Sequence, residues 1–505
     1  MTALPDTFQD GRRASPGAAT GALRTSPPDL RDRIYVPWPL AIYFIAILLP
    51  IRFWAGPVML TSVRVVLLVA TLPLLVNLLC GRYGRLILPD FVLIAHLVWM
   101  FVSLSQTTPE LALSQTGSLG AEFLGGYLMA RAFVRSHAQF LGAVRFLSVA
   151  ILMFLPVAFF EMKTGDSPIL RIFDALPGIQ SYGLVDHEPR LGFERAQIVF
   201  EHPIHWGLFA SSMFSLVCIG MTARLPIYLR ALLAGGVGIA TFSSLSSGAL
   251  MPLILQIGLI TWALLTKRIR GRWIIFSSLA ALAYVVVDLL SNRTPIQVFF
   301  SYATFSPHTA YWRGIIFDWG MSNIFGSVER NIPSARLFGI GFADWVRPWF
   351  MYSGSMDNFW LVMGVRHGVL GFMTVAVPYA WMMVRVGRKS LTEHSEVWYL
   401  RRAWMFTMLS LALTLATVHI WTAIYSYVFF LIGAGAWFIS YKEPEQLTPT
   451  ASGTVERTAT VYSRFSDARP ASGSERKGGS LTRYRRGEEP AEDHPFRAAD
   501  VSFRR

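Results

Sequence analysis

The chain has 505 residues, of which 53% are hydrophobic and only 15% charged, with a formal net charge of +14. A soluble protein of this length would carry roughly one-quarter charged residues, so the composition excludes an ordinary soluble globule. Repeated apolar runs of about 20 residues, each enough to cross roughly 30 Å of hydrocarbon, predict an all-α polytopic membrane protein.

Residues 1–34 are rich in Pro, Gly, Ser and Arg. Such a segment buries too little apolar surface to offset its ordering entropy, so a disordered cytoplasmic tail is expected. A transmembrane domain over 35–441 follows. Twelve spans are predicted, near 38–55, 58–80, 87–105, 112–134, 139–160, 202–221, 227–245, 248–266, 272–290, 357–384, 402–419 and 421–440. No cleavable signal peptide is expected, because the first run follows a long polar segment and lacks a small-residue cleavage site.

Basic residues set the orientation. Arg31 and Arg33, Arg82 and Arg85, Arg131 and Arg135, Arg224 and Arg230, Lys267 to Arg272, and Arg385 to Arg402 all fall on alternate sides of the count, hence on one face. That face is expected to be cytoplasmic, with both termini there. The positive charge is therefore read as membrane anchoring, and no nucleic-acid partner is expected. Cys80 and Cys218 both fall near cytoplasmic span ends, so no disulfide is expected.

Two segments outside the spans, 161–201 and 291–356, are long and lie on the opposite face. Connections beyond about 15 residues are uncommon unless functional. The second is dense in Trp, Tyr, Phe and Arg, and its stretch TAYWRGIIFDWGMSNIF has helical apolar spacing suited to a membrane surface. Residues 442–505 repeat the tail composition and are expected to be disordered and cytoplasmic. There is no convincing internal repeat, which weighs against transporters built from inverted halves.

Five places carry candidate chemistry. Glu122 is a carboxylate inside the fourth span. Arg195 precedes the outer rim of the sixth, and a guanidinium there suits a lipid-linked phosphate because its fork donates parallel bonds to an oxyanion; a salt bridge to Glu194 is the plainer alternative. FEHPIHWG follows, with Glu201 and His205 four residues apart on one helical face and His202 turned away. Its plainer reading is a polar rim with Trp206 as an interfacial belt residue. A metal is not expected, since the order is not HExxH and no cysteine or second carboxylate is near. The turn TFSSLSSGAL, including Ser247, allows close backbone approach and contact with sugar hydroxyls. Finally, SGSMDNFWLVMGVRHGVLGF places Asp357 and Asn358 at membrane re-entry and Arg366 and His367 two to three turns deeper. Intramembrane charges there need a cavity or a partner, and Glu122 is the candidate partner of Arg366.

In order, Arg195 with FEHPIHWG, SSLSSG, YWRG at Tyr311–Gly314, FGIGFADW and MDNFWLVMGVRHGVLGF resemble the O-antigen ligase and Wzy-type polysaccharide polymerase superfamily, most closely its exopolysaccharide polymerases. The resemblance covers roughly residues 38–440. It implies a glycosyltransferase of the bacterial inner membrane working on the periplasmic face, with no cofactor and no metal. Its donor would be an oligosaccharide on undecaprenyl pyrophosphate, surrounded by membrane lipid, with chain-length regulator and export proteins as candidate partners. Arg195 matches a family arginine that holds the pyrophosphate, and Arg313 is a second candidate.

Where many ligases have Ser-Arg-Gly, this chain has Ser246–Ser247–Gly248, and where many have histidine, it has Asp357. Both departures weaken the ligase alternative and leave the general base open among Asp357, Glu201, His202 and His205. Trp312 is expected to stack on a sugar face. A flippase for lipid-linked glycans is the alternative of another class, and would spread ionisable groups across midplane positions.

Overall fold

The structure is a computed structural model that describes residues 34–443 except 57, 186–187, 293 and 303–306. The two expected tails lie almost wholly outside the described residues.

The chain opens with α1 (Trp38–Leu48), then a hairpin of β1 (Arg52–Ala55) and β2 (Val58–Thr61). Their antiparallel register pairs Arg52 with Thr61 and Ala55 with Val58. This short hairpin is an addition to an architecture that is otherwise helical, as expected, and it shortens the first two predicted spans. Gly56, at φ +63°, supplies the turn, a backbone region glycine enters without a Cβ penalty. Helices α2 (Ser62–Leu79), α3 (Leu88–Thr107) and α4 (Pro109–Phe133) follow. One span is then made of α5 (His137–Met153) and α6 (Leu155–Thr164), which begin anew at Pro156.

After α7 (Pro168–Asp174) comes a second composite span, α8 (Pro203–Ser212), α9 (Phe214–Cys218) and the 3-10 turn Gly220–Ala223. Helices α10 (Ile227–Ser243), α11 (Ser247–Leu265) and α12 (Arg272–Leu290) precede two helices in the large connecting segment, α13 (Pro295–Tyr302) and α14 (Pro307–Phe325). The chain closes with α15 (Phe359–Gly387), α16 (Glu396–Thr414), α17 (Thr422–Gly433) and α18 (Ala436–Ser440).

Each of the twelve predicted runs contains a helix, although the first two also take in the strands of the hairpin. Among the described residues, eight helical stretches are long and apolar enough to cross a membrane. The other four fall short individually. Helices α1 and α10 have 11 and 17 residues, and α4 and α16 are long enough but carry too many polar groups.

Apolar side chains fill the interior and also cover much of the outer surface. The stretch Thr422–Ser440 is 94% buried and forms the middle of the bundle, whereas none of Arg272–Leu290 is buried although it is the more apolar. Val69, Leu72, Leu289 and Leu290 also stand exposed. Apolar surface on this scale is stable only where hydrocarbon is the solvent.

The connecting segments gather at two ends. At one, Arg52 N–H donates to Gln180 (2.9 Å), Ala196 N–H to Ser243 (3.0 Å) and Phe359 N–H to Leu415 (2.8 Å). At the other stand the basic clusters, with Arg131 paired to Asp90 at 2.9 Å and Arg224 Nη2 to Glu396 at 2.9 Å.

Helix α15 is broken inside. Gly368 has φ 71° and ψ −175°, outside helical space. The carbonyls released there are taken up by the FGIG segment: Ile340 N–H donates to Val365 (2.8 Å) and Gly341 N–H to Arg366 (3.0 Å). Trp99 Nε1 donates to His367 O at 2.8 Å. A connecting segment thus enters the bundle with its polar backbone satisfied, as irregular chain at membrane depth must be.

Candidate functional site

The turn between α10 and α11 is the centre of a basic cluster. Leu245 takes a positive φ of 42° there, so the turn's carbonyls face outward from the helix ends. Arg190 Nη1 donates to Leu245 O at 2.9 Å and Arg195 Nε to Ser244 O at 3.2 Å. From the other side, α14 brings Arg313. A Cβ on Gly248 would stand 3.7 Å from Arg313 Nη2, so the guanidinium lies over a position kept free of side chain.

Arg313 is only 6% exposed, yet its Nε and Nη1 have no hydrogen-bond partner. Burial lowers its pKa; Asp357 opposes the shift and Arg190 adds to it. Burial, and then Arg190, push Arg195 down to about 10. The expected Arg195–Glu194 salt bridge is not formed; Arg195 instead holds the turn backbone. Arg313 is buried, Arg195 half-buried and Arg190 exposed, and a buried cation is costly unless an anion joins it. The three guanidinium groups, from two distant segments, are therefore a candidate anion site.

Asp357 lies at its edge. It is exposed, accepts a 2.8 Å bond from Ser355 Oγ and acts electrostatically on Arg313. Asn358 is the N-cap of α15, its Oδ1 accepting from Leu361 N–H at 3.0 Å. That cap explains why Asn opens this span, because the first turn of a helix has donors without intrahelical partners. Ser247 is the first residue of α11, and Trp312 is half-buried with its ring 6.0 Å from that of Phe350.

One turn along α14 from Arg313, Phe317 begins an apolar groove of about 670 Å³ between α14, α15 and α16. Met321, Leu361, Phe372, Tyr379 and Met383 continue it along the length of α15, with Asn358 at its end nearest the arginines.

FEHPIHWG is organised differently from its sequence expectation. Pro203 begins α8 and His202 is its N-cap, so Glu201 lies outside the helix and shares no helical face with His205. Proline suits the first helical position, and that fixes the boundary two residues too late for the i, i+4 pair. Glu201 accepts from Thr422 Oγ1 at 2.8 Å, and burial raises its pKa. His202 Nδ1 accepts from Ile204 N–H at 3.0 Å. His205 is buried with its ring 4.0 Å from Trp421. Trp206 is not an interfacial belt residue; it is fully buried and donates to Ser243 Oγ at 2.8 Å. Among the described residues, no three His, Cys, Asp or Glu side chains stand close enough to hold a metal ion.

The expected Arg366–Glu122 pair is also corrected. Glu122 pairs with Arg64, Nε to Oε1 at 2.7 Å, inside the bundle. Arg52 and Arg64 are the basic groups whose charge reaches Glu201. Arg366 turns elsewhere, 4.6 Å over the Phe342 ring, into a cavity of about 310 Å³ that it lines with His419, Ser355 and Asp344.

The structure thus brings Arg195, Arg313, Asp357 and Ser247 around one turn, and sets Glu201, His202 and His205 around Trp421. Sequence reasoning missed Arg190, whose signal was a second arginine five residues before Arg195 across Gly192. It also missed His419 and the Arg64 partner of Glu122.

The fold and the site define a predominantly helical, multi-pass membrane protein with a basic cluster at one end of its bundle. No protein-family model matches the chain, and no curated protein matches it.

Proposed function

We propose that this protein is a polysaccharide polymerase of the bacterial inner membrane, joining oligosaccharide repeat units carried on undecaprenyl pyrophosphate at the periplasmic face. The end bearing Arg190, Arg195 and Arg313 is the periplasmic one, and both termini are cytoplasmic.

One observation carries the proposal: a buried guanidinium whose Nε and Nη1 have no hydrogen-bond partner, with two further arginines on the same turn, one helical turn from Phe317 in a long apolar groove. A diphosphate on an isoprenoid chain has this combination of chemistries. Its anion would satisfy the arginines and its tail would lie along α15 within the membrane.

In the reaction, an acceptor hydroxyl oxygen forms a bond to the anomeric carbon of the lipid-linked sugar. The bond from that carbon to the phosphate oxygen breaks, and undecaprenyl pyrophosphate leaves with the electron pair. Prearranged guanidinium groups stabilise the charge that grows on it in a water-poor site, each charged hydrogen bond contributing roughly 1.5–3 kcal/mol. Asp357 takes the hydroxyl proton, being the carboxylate nearest Arg313 in electrostatic terms. Glu201 is held by Thr422 and Trp421 and takes no part in this proton transfer.

Deleting the gene tests the proposal. Long polymer should vanish while single lipid-linked repeat units accumulate on the periplasmic face. Units held on the cytoplasmic face would instead identify a flippase. Units that reach polymer normally but are not passed to a second acceptor would identify a ligase.

A further inference from the structure

The Arg366 cavity is not used by the diphosphate chemistry. It is about 310 Å³ in volume, large enough for a sugar residue, and it lies beside Asp357 through Ser355, which lines the cavity and donates to the Asp357 carboxylate. Arg313 is near enough to Asp357 to feel its charge. The carboxylate therefore adjoins both the arginine cluster and a sugar-sized chamber, where a base could take a proton from an acceptor.

Within the chamber Arg366 is anomalous. Among the described residues its guanidinium has no carboxylate partner; its contact is the face of Phe342 at 4.6 Å. His419 lines the same cavity, and its buried Nδ1 has no hydrogen-bond partner. The wall carboxylate, Asp344, is 69% exposed and paired with Arg347 rather than with Arg366. The break at Gly368 and the FGIG segment hold the Arg366 backbone rigidly, Gly341 N–H bonding its carbonyl at 3.0 Å. A fixed cation over an aromatic ring, with an adjacent polar atom unsatisfied, is built to receive one planar anion in two parallel hydrogen bonds.

We propose that this cavity is an acceptor subsite for an acidic sugar, with Arg366 and His419 holding a carboxylate such as that of a hexuronic acid. It rests on the polymerase proposal for the role of acceptor, but the binding itself does not. A single guanidinium matches a singly charged carboxylate, while the more highly charged diphosphate falls to the three-arginine cluster.

The test uses the purified full-length chain in lipid nanodiscs, with methyl β-glucuronide and methyl β-glucoside as probes followed by saturation-transfer NMR. The glucuronide should bind at least about tenfold more tightly than the glucoside. Arg366→Gln should remove that preference, and His419→Gln should reduce it. Equal binding of the two probes by the unaltered protein overturns the inference without recourse to any variant. So does a preference that survives in a folded Arg366→Gln protein. Preference for the glucuronide in a protein whose gene deletion leaves polymer intact would sink the polymerase proposal and leave the acidic-sugar site standing.

Discussion

Gly368 and Leu337 meet so closely that a Cβ on the glycine would lie 1.9 Å from the Leu337 carbonyl oxygen. Gly339 and Gly341 are similarly confined, by the backbone at Arg366 and by Thr107. The glycines of FGIG and RHGVLG are thus two sides of one contact, in which the connecting segment 336–341 is threaded against a broken helix. Gly368→Ala combines a positive φ with a backbone collision, and should destabilise the protein by about 3 kcal/mol or more. Thermal unfolding in detergent checks this, with Gly183→Ala, which has open space around it, as the unaffected comparison.

Arg313→Lys should lower polymer formation at least about a hundredfold while the protein still inserts and accumulates, since lysine is a point charge without the guanidinium fork. Arg195→Lys should do the same, and Arg190→Lys joins them because it shares the turn. Polymer size on gels, normalised to protein level by immunoblot, measures all three.

The Arg64–Glu122 pair makes a separate statement about stability. Glu122 is fully buried and its Oε2 has no partner. Arg64→Ala strands the carboxylate and should cost roughly 3–5 kcal/mol, whereas the double change Arg64→Met with Glu122→Leu should cost far less. Melting temperatures of the single and double variants decide it.

Glu201 gives the protein a pH dependence of defined sign. Burial raises its pKa above the ordinary carboxylate value of 4.5. The native state therefore holds this proton more firmly than the unfolded state. Its contribution to stability is complete below the unfolded value and is lost as pH rises through the higher folded value. Melting measured across that rise should fall for the unaltered protein, and Glu201→Gln should flatten the slope by up to one proton.

The sequence was informative where one-dimensional signals suffice. Each predicted apolar run contains a helix, and TAYWRGIIFDWGMSNIF lies on α14. Arg195 was singled out by residue chemistry and Arg313 by the family resemblance; Arg195 bonds the carbonyl of Ser244 and Arg313 lies over Gly248, on the same serine turn. Long-range pairing was not legible. Glu122 could be matched with Arg366 as readily as with Arg64, because periodicity ranks neither. The hairpin at Arg52–Thr61 was absorbed into two apolar runs, since strand and helix ends share β-branched and aromatic residues. Glu201 and His205 failed as a helical pair because Pro203 sets the boundary, leaving Glu201 two residues outside the helix and without a shared face.

The claim on which the account depends is that the arginines around the α10–α11 turn neutralise a departing diphosphate. It is tested most directly by supplying purified protein in nanodiscs with an undecaprenyl-pyrophosphate-linked repeat unit and measuring the undecaprenyl pyrophosphate released. Release in step with polymer growth, lost in Arg313→Lys, is the predicted result. Equal release by the variant, or polymer growth without release, would contradict it.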